Sequence, residues 1–328
     1  MVIKNKLIIS SVIAVIIALV FVFGFSAPSG SGGETARLVV SLSDKGDRET
    51  VKSSIAYLYD EGVIRNKTAF YFLMLMFGRS SHIDRGAYVL AKDWSAFKVV
   101  RELKSPDEIW IVIREGLRKE EIALIFAEKF GWSGEVKEKW ITEYTNTAPD
   151  YMEGVYFPDT YLIPVDDEPA KVAERLLSRF NEKFASYQEA FAKENIRWPT
   201  ALKIASIVQR EAAGKDDMPV IAGVIWNRLL KDMKLDVDAT VQYARGDAGN
   251  GWWAPITKED KKIDSPYNTY LYKGLPPHPI DNPGIDAIES VLRPAKTKCL
   301  YYLHDNEKKI HCAESYDGHL NNIEKYLK

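Results

Sequence analysis

In the stretch Ile204 to Gly214, "IASIVQREAAG", one acidic side chain stands where a purely apolar one is expected. Read as a helix, Ile204, Ile207, Val208 and Glu211 fall at i, i+3, i+4 and i+7, so the Glu211 carboxyl lies on the apolar stripe. A carboxyl walled by isoleucine and valine loses hydration. Its ionised form is then disfavoured, its pKa rises, and it can donate a proton near neutral pH as a general acid. A structural glutamate held by a cation such as Arg228 gives the same pattern, because ion pairs also interrupt apolar stripes.

The residues downstream favour chemistry on a polar, ring-shaped substrate. Asn227, Gln242, Asn268 and Asn282 carry amides suited to hydroxyl and acetamido groups, and Trp252, Trp253, Tyr267, Tyr270 and Tyr272 offer faces for sugar rings. The aromatic residues concentrate between Gly251 and Gly274, and a long neutral glycan suits such a cleft. A hydrolase would pair Glu211 with a second carboxylate, for which Asp236 and Asp238 are the nearby candidates.

These residues need elements to hold them. The spacing predicts a helix with Thr200 as N-cap and Gly214 as its close, then a helix over Val220 to Leu230. Asp238 is expected to cap a further short helix with Thr240 in its first turn, and a proline-braced aromatic loop runs into a helix ending "AIESVL". Before them, "DDEPAKVAERLLSRFNEKFASYQEAF" reads as a long helix or helix pair with Val172, Leu176 and Phe180 buried.

Between Arg37 and about Tyr151 the pattern is of small α/β units. "RLVVSL" alternates as a strand; Val51, Ile55 and Leu58 mark a helix stopped by Gly62; "KTAFYFLMLMFG" is a second helix and "GAYVL" a second strand. This β-α-α-β order resembles a LysM-like sugar-binding module, and a mere packing platform explains it equally well. The scheme partly recurs in "IWIVI" and a helix carrying Ile122, Ile125 and Phe126 that Gly131 ends.

The chain has 328 residues, 46% of them hydrophobic, and a formal net charge of −2. That composition excludes a disordered chain and gives no field or basic patch to collect nucleic acid. Lys4 and Lys6 precede an uncharged run, Leu7 to Phe25, just long enough to cross a bilayer, which reads as a transmembrane helix with its amino end in the cytoplasm. A cleaved signal peptide is the competing reading. Ala27 to Gly33 is a flexible tether.

The expected organisation is therefore a tail (1–6), a transmembrane helix (7–25), a linker (26–35), a LysM-like α/β region (36–150) and a catalytic domain (151–328). The fold class is α+β: a transmembrane helix, a LysM-like α/β module, then a mainly helical catalytic domain with a terminal β-hairpin. Cys299 and Cys312 flank that hairpin. A turn near Asp305 and Asn306 would set the thiols opposite each other, for a disulfide in an oxidising exterior or as two unpaired buried cysteines. His304, His311 and His319 raise a zinc alternative, which the spacing does not favour.

Five blocks, in order and spacing, resemble the MltG/YceG family of endolytic murein transglycosylases: "FPDTY" from Phe157, "IASIVQREA" from Ile204, "WNRLLKDMKLDVDATVQYA" from Trp226, "SPYNTYLYKGLPPHPIDNPG" from Ser265, and the "YYL" hairpin followed by His319. The resemblance implies an inner-membrane-anchored, single-pass lyase with its catalytic domain outside the cytoplasm. Such an enzyme cuts peptidoglycan strands internally between N-acetylmuramic acid and N-acetylglucosamine and leaves a 1,6-anhydro end. It also implies peptidoglycan synthases as partners and no cofactor or metal. Within the blocks it places the catalytic acid at Glu211. Substrate contacts are expected at Asn227, Arg228, Asp238, Thr240, Gln242, Tyr267, Asn268, Tyr270, Pro276 and Asn282. The family's helix motif carries two acids; the first is Gln209 in this chain. Other departures are Asp236 for glutamine, Ala239 for the proline after Asp238, and His278 for glycine. A non-catalytic scaffold that only grips peptidoglycan is the rival from another class.

Overall fold

The structure is a computed structural model describing residues 28–30, 32–146, 148 and 152–328. The transmembrane helix expected over Leu7 to Phe25 lies outside the described residues. Among the described residues no helix is long and apolar enough to cross a membrane. The fold class is corrected accordingly to α+β, with eleven α-helices, a four-stranded sheet and a two-stranded hairpin among those residues. The longest helix is unsuited to lipid because Arg, Glu and Lys punctuate its sequence, leaving one apolar face against the protein.

The described residues form two compact units, one reaching to Ile111 and including Thr160–Asp167, the other made of the described residues from Val112 to Asp159 and of Glu168–Lys328. The division falls at Ile111, well before the change of sequence texture near Tyr151, and a short segment returns to the first unit as a strand.

In the first unit β1 (Thr35–Val40), β2 (Gly86–Ala91), β3 (Glu108–Val112) and β4 (Thr160–Pro164) form a sheet in that order. β1 runs antiparallel to β2 from Thr35 opposite Ala91 to Val40 opposite Gly86. Its period of two buries Ala36, Leu38 and Val40 and exposes the residues between them. Between β1 and β2 lie α1 (Arg48–Asp60) and α2 (Lys67–Met76), capped by the side chains of Asp47 and Asn66. Gly62, at φ +71°, turns the chain out of α1 in the left-handed conformation that glycine adopts without penalty. With α3 (Ala96–Glu102) these helices bury Val51, Ile55, Leu58, Phe70, Leu73, Val99 and Val100 in one core with Tyr88 and Leu90 of the sheet.

The second unit is mostly helical. α4 (Lys119–Phe130) ends at Gly131, and α5 (Gly134–Lys139) winds directly into a π-helical turn, Trp140–Tyr144. α6 (Pro169–Lys193) is a single helix that buries Val172, Leu176 and Phe180. α8 (Met218–Leu230), α9 (Asp238–Arg245) and α10 (Ile285–Leu292) pack around α7 (Trp198–Glu211), whose Ile204, Ala205, Ile207 and Val208 are wholly buried. The hairpin of β5 (Tyr301–His304) and β6 (Ile310–Ala313) and the helix α11 (Tyr316–Leu327) close the chain.

Several boundaries differ from expectation. α7 starts at Trp198 with Arg197 as N-cap, because Pro199 suits the first turn of a helix, and not at Thr200. It stops at Glu211 and not at Gly214, because the amides of Ala213 and Gly214 bond to the Asp217 carboxylate and pull the chain away from the helix axis. The cap of α9 is Val237; Asp238 is its first residue and sends its carboxylate to Tyr270.

The hairpin register is Tyr301 opposite Ala313 and Tyr302 opposite Cys312, which centres the turn on Glu307, further along than Asp305 and Asn306. Cys299 and Cys312 nonetheless form a disulfide, diagonally across the hairpin base, with Cα atoms 5.8 Å apart. The three histidines considered for zinc are engaged separately: His304 with Asp217, His311 with Asp305, and His319 stacked on Tyr301.

The disulfide links residues 13 positions apart. Closing a loop of that size restricts the unfolded chain, so replacing both cysteines by serine is expected to lower unfolding free energy by about 3 kcal/mol in urea titration.

Candidate active site

Glu211 is the last residue of α7, and two features of that position act on its charge. The buried stripe ahead of it ends in the core, so the carboxyl emerges half-buried. It also sits at the negative end of the helix dipole, where an anion is disfavoured. Burial pushes its pKa above the ordinary value, and the neighbouring Asp238 carboxylate adds to the rise. Opposing both, the Tyr302 hydroxyl donates to Glu211 Oε2 at 2.7 Å and the Ala239 backbone amide donates to the same carboxyl. Burial also raises the Tyr302 pKa well above the ordinary phenol, so this residue stays a protonated donor.

The carboxyl opens into a cleft of about 410 Å³ lined by Glu211, Arg228, Leu235, Asp236, Asp238, Tyr270, Tyr301, Tyr302, Tyr316 and His319. Asp236 reaches it with φ +51°, a left-handed conformation unusual for a side-chain-bearing residue and a mark of local strain. Tyr270 donates to Asp238 Oδ1 at 2.5 Å, and Lys261 lies 2.9 Å from the Tyr270 hydroxyl and 3.5 Å from Asp238. Glu211 is thus accompanied by two carboxylates, one tied to Arg228 at 3.2 Å and the other to Tyr270.

Arg228 does not hold Glu211. Its guanidinium donates to the carbonyls of Leu300, Lys234 and Leu235 and to Asp236, joining the β5 entry to the α8–α9 turn. The salt-linked reading of Glu211 therefore has no counterpart here.

Of the ten residues expected to contact substrate, Arg228, Asp238 and Tyr270 line the cleft; the other seven are not among its lining residues. Asn227 donates to the carbonyls of Thr297 and Cys299, Gln242 to those of Trp253 and Ala254, and Asn268 to those of Lys261 and Ile263. Thr240 is buried and bonds to Thr269 and to the Val237 carbonyl. Asn282, also buried, accepts from the Tyr156 amide and donates to Leu117 and Glu153. Pro276 is buried within its loop, and Tyr267 stacks on Tyr243. The physical reason is shared: irregular chain presents unpaired backbone groups, and amide and hydroxyl side chains satisfy them.

The aromatic residues divide likewise. Trp252 covers the buried Arg118 guanidinium and Trp253 that of the half-buried Arg210, so both pack against cations. The residues that sequence reasoning left without a role are Tyr301, Tyr302 and Tyr316. The "YYL" repeat beside two cysteines was the available signal, but only the observed register and disulfide aim Tyr302 at Glu211.

Two departures from the resembled pattern acquire meaning. Gln209 accepts from the Gly284 amide at 3.0 Å and hydrogen-bonds Glu115, so it braces the loop while Glu211 faces the cleft. Ala239, where the pattern has proline, has an amide hydrogen to give, and that hydrogen goes to Glu211.

This fold and cleft belong to a recognised class. Residues 46–325 match the model of the YceG-like family, and the chain belongs to that family. Among individual proteins, it is 35% identical over 178 residues to the endolytic murein transglycosylase of Streptococcus pneumoniae strain D39, a match covering 54% of this chain and 32% of that protein. The chain thus spans about a third of the length of the pneumococcal relatives it matches. It is 28% identical over 303 residues to the endolytic murein transglycosylase of Bacillus subtilis, covering 85% of this chain and 82% of the relative. A crystal structure of a yceG-like protein from Listeria monocytogenes superposes with a TM-score of 0.58 at 25% identity, covering 88% of this chain and 99% of that one.

Because folding raises the Glu211 pKa, its protonated form stabilises the fold; that contribution is full below the unfolded value and is lost as pH rises through the folded one. Glu211→Gln, permanently neutral, is expected to match the parent in thermal stability near about pH 4 and to exceed it near about pH 8. Ala239→Pro removes one donor to the carboxylate from a helix position that tolerates proline. It is expected to move the Glu211 titration, followed by NMR, to higher pH.

Proposed function

We propose that the second unit is a lytic transglycosylase that cuts glycan strands of peptidoglycan internally, between N-acetylmuramic acid and N-acetylglucosamine, and closes a 1,6-anhydro ring on the muramyl residue. The observation that carries the reading is an acid, Glu211, whose proton is retained by burial at an open cleft and whose anion is met by donors from Tyr302 and Ala239, while the two other carboxylates of the cleft are engaged by Arg228 and Tyr270. The names of the pneumococcal and Bacillus relatives support it.

Protonated Glu211 gives its proton to the glycosidic oxygen as positive charge develops at the anomeric carbon. Tyr302 and the Ala239 amide then stabilise the carboxylate that forms. The same carboxylate accepts the proton of the muramyl C6 hydroxyl as that oxygen bonds to the anomeric carbon. Glu211 ends protonated and no water is consumed. Because the nucleophile is already part of the substrate, one carboxylate serves both steps.

A two-carboxylate hydrolase is the second reading, favoured by Asp236 and Asp238 in the same cleft. It needs a carboxylate about 5 to 9.5 Å from the acid to attack the sugar or activate water. Asp238 is engaged by Tyr270 and Lys261, and Asp236 by Arg228, which supports the lytic reading. The disulfide supports action in an oxidising compartment outside the cytoplasm. The β-α-α-β order of the first unit supports a sugar-binding role for it beside the cleft's own chemistry.

Digestion of purified peptidoglycan followed by mass spectrometry separates the readings. Lytic products have muramyl ends one water lighter than the reducing ends a hydrolase makes, and a scaffold releases neither. Glu211→Gln is expected to lower turnover by about 10³-fold or more while strand binding persists. Near-parental turnover in that variant rejects the assignment.

A further inference from the structure

The cleft has a wall that the chemistry of Glu211 does not use. Tyr301 of β5 and Tyr316 and His319 of α11 form a cluster beside the acid: ring centroids are 5.8 Å apart for Tyr301 and Tyr316, 5.5 Å for Tyr301 and His319, and 6.5 Å for Tyr316 and His319. Tyr301 and His319 lie 24° from parallel, and the Arg228 guanidinium sits over the Tyr301 ring, 5.1 Å from its centroid. All three rings line the same cleft as Glu211.

Packing within the fold does not account for this wall. Tyr316 is 59% exposed although it is a large ring in the first turn of its helix, and no residue of α11 is fully buried. The wall carries no charge near neutral pH, because burial and the nearby Arg228 hold the His319 pKa below its ordinary value. Apart from Leu235, the rest of the lining carries polar groups: Glu211, Arg228, Asp236, Asp238 and the hydroxyls of Tyr270 and Tyr302. A neutral aromatic surface joined to a rim of carboxylates and hydroxyls matches a pyranose ring, whose C–H face is apolar and whose equatorial hydroxyls are donors.

We propose that Tyr316 and His319, with Tyr301, form a stacking subsite for a saccharide ring of the glycan strand next to the bond that is cut, so that the start of the C-terminal helix is a specificity element of the active site. The subsite rests on the lytic reading for its substrate, and on the geometry of the wall for its residues. The three rings bind the strand and take no part in proton transfer.

The test separates binding from chemistry by working in two backgrounds. In the Glu211→Gln background, calorimetric titration with glycan strands stripped of their peptide stems is expected to show Kd about tenfold weaker for Tyr316→Ala and for His319→Ala, and near the starting value for Tyr316→Trp. In the active enzyme Tyr316→Ala is expected to raise KM about tenfold with kcat within about threefold. Because the Tyr316 ring is exposed, its thermal midpoint serves as a control for folding and is expected to stay within about 2 °C. Unaltered Kd and KM in Tyr316→Ala, with strands still bound by Glu211→Gln, overturns the subsite while the lytic reading stands. If Glu211→Gln binds no strands even with the wall intact, both fall.

Discussion

A carboxyl group held at the dry, negative end of a buried helix is the constraint around which the second unit is arranged. α7 could not end elsewhere without losing one of the two effects that favour the protonated acid: the wall of Ile204, Ile207 and Val208 beneath it and the unsatisfied carbonyls of the last turn. Left alone, such a site would hold its proton too tightly to give it up. Tyr302 and the Ala239 amide correct for that by stabilising the anion, so the acid is poised between two opposed sets of interactions.

Delivering the donors requires long-range structure. Tyr302 lies 91 residues from Glu211 and reaches it through the hairpin, whose base is fixed by the disulfide and whose entry is gripped by Asn227 and Arg228. Both side chains were expected to contact substrate; Arg228 lines the cleft and Asn227 does not, and both hold the strand that carries the phenol.

A second polar network braces the loop between α9 and α10 from the opposite direction. Asn282 joins the Tyr156 amide, the Leu117 carbonyl and Glu153, and the Glu153 carboxyl in turn accepts from the Lys119 amide. Burial raises the pKa of Glu153 and lifts that of Asp281 beside it well above the ordinary value. Gln209 adds a contact to Gly284, a position where a Cβ would collide with the Glu115 carboxyl. Buried polar contacts of this kind are costly to leave unsatisfied, so they specify one path for a proline-rich loop that has little regular structure of its own.

The sequence by itself determined what local periodicity can encode. The apolar stripe of α7 and the acid on it, the alternation of β1, the glycine that ends α1, the single long face of α6 and the concentration of aromatic residues after Gly251 all follow from neighbours a few positions apart, whose interactions are the same in any fold. Only the tertiary structure decided which polar residues line the cleft. An asparagine or threonine can serve a sugar hydroxyl or a backbone carbonyl equally well, and the choice depends on which unpaired groups the folded chain brings near. The hairpin register shows the same limit, since a shift of the turn from Asp305 to Glu307 changes which residue lies opposite Cys312 and which tyrosine meets Glu211.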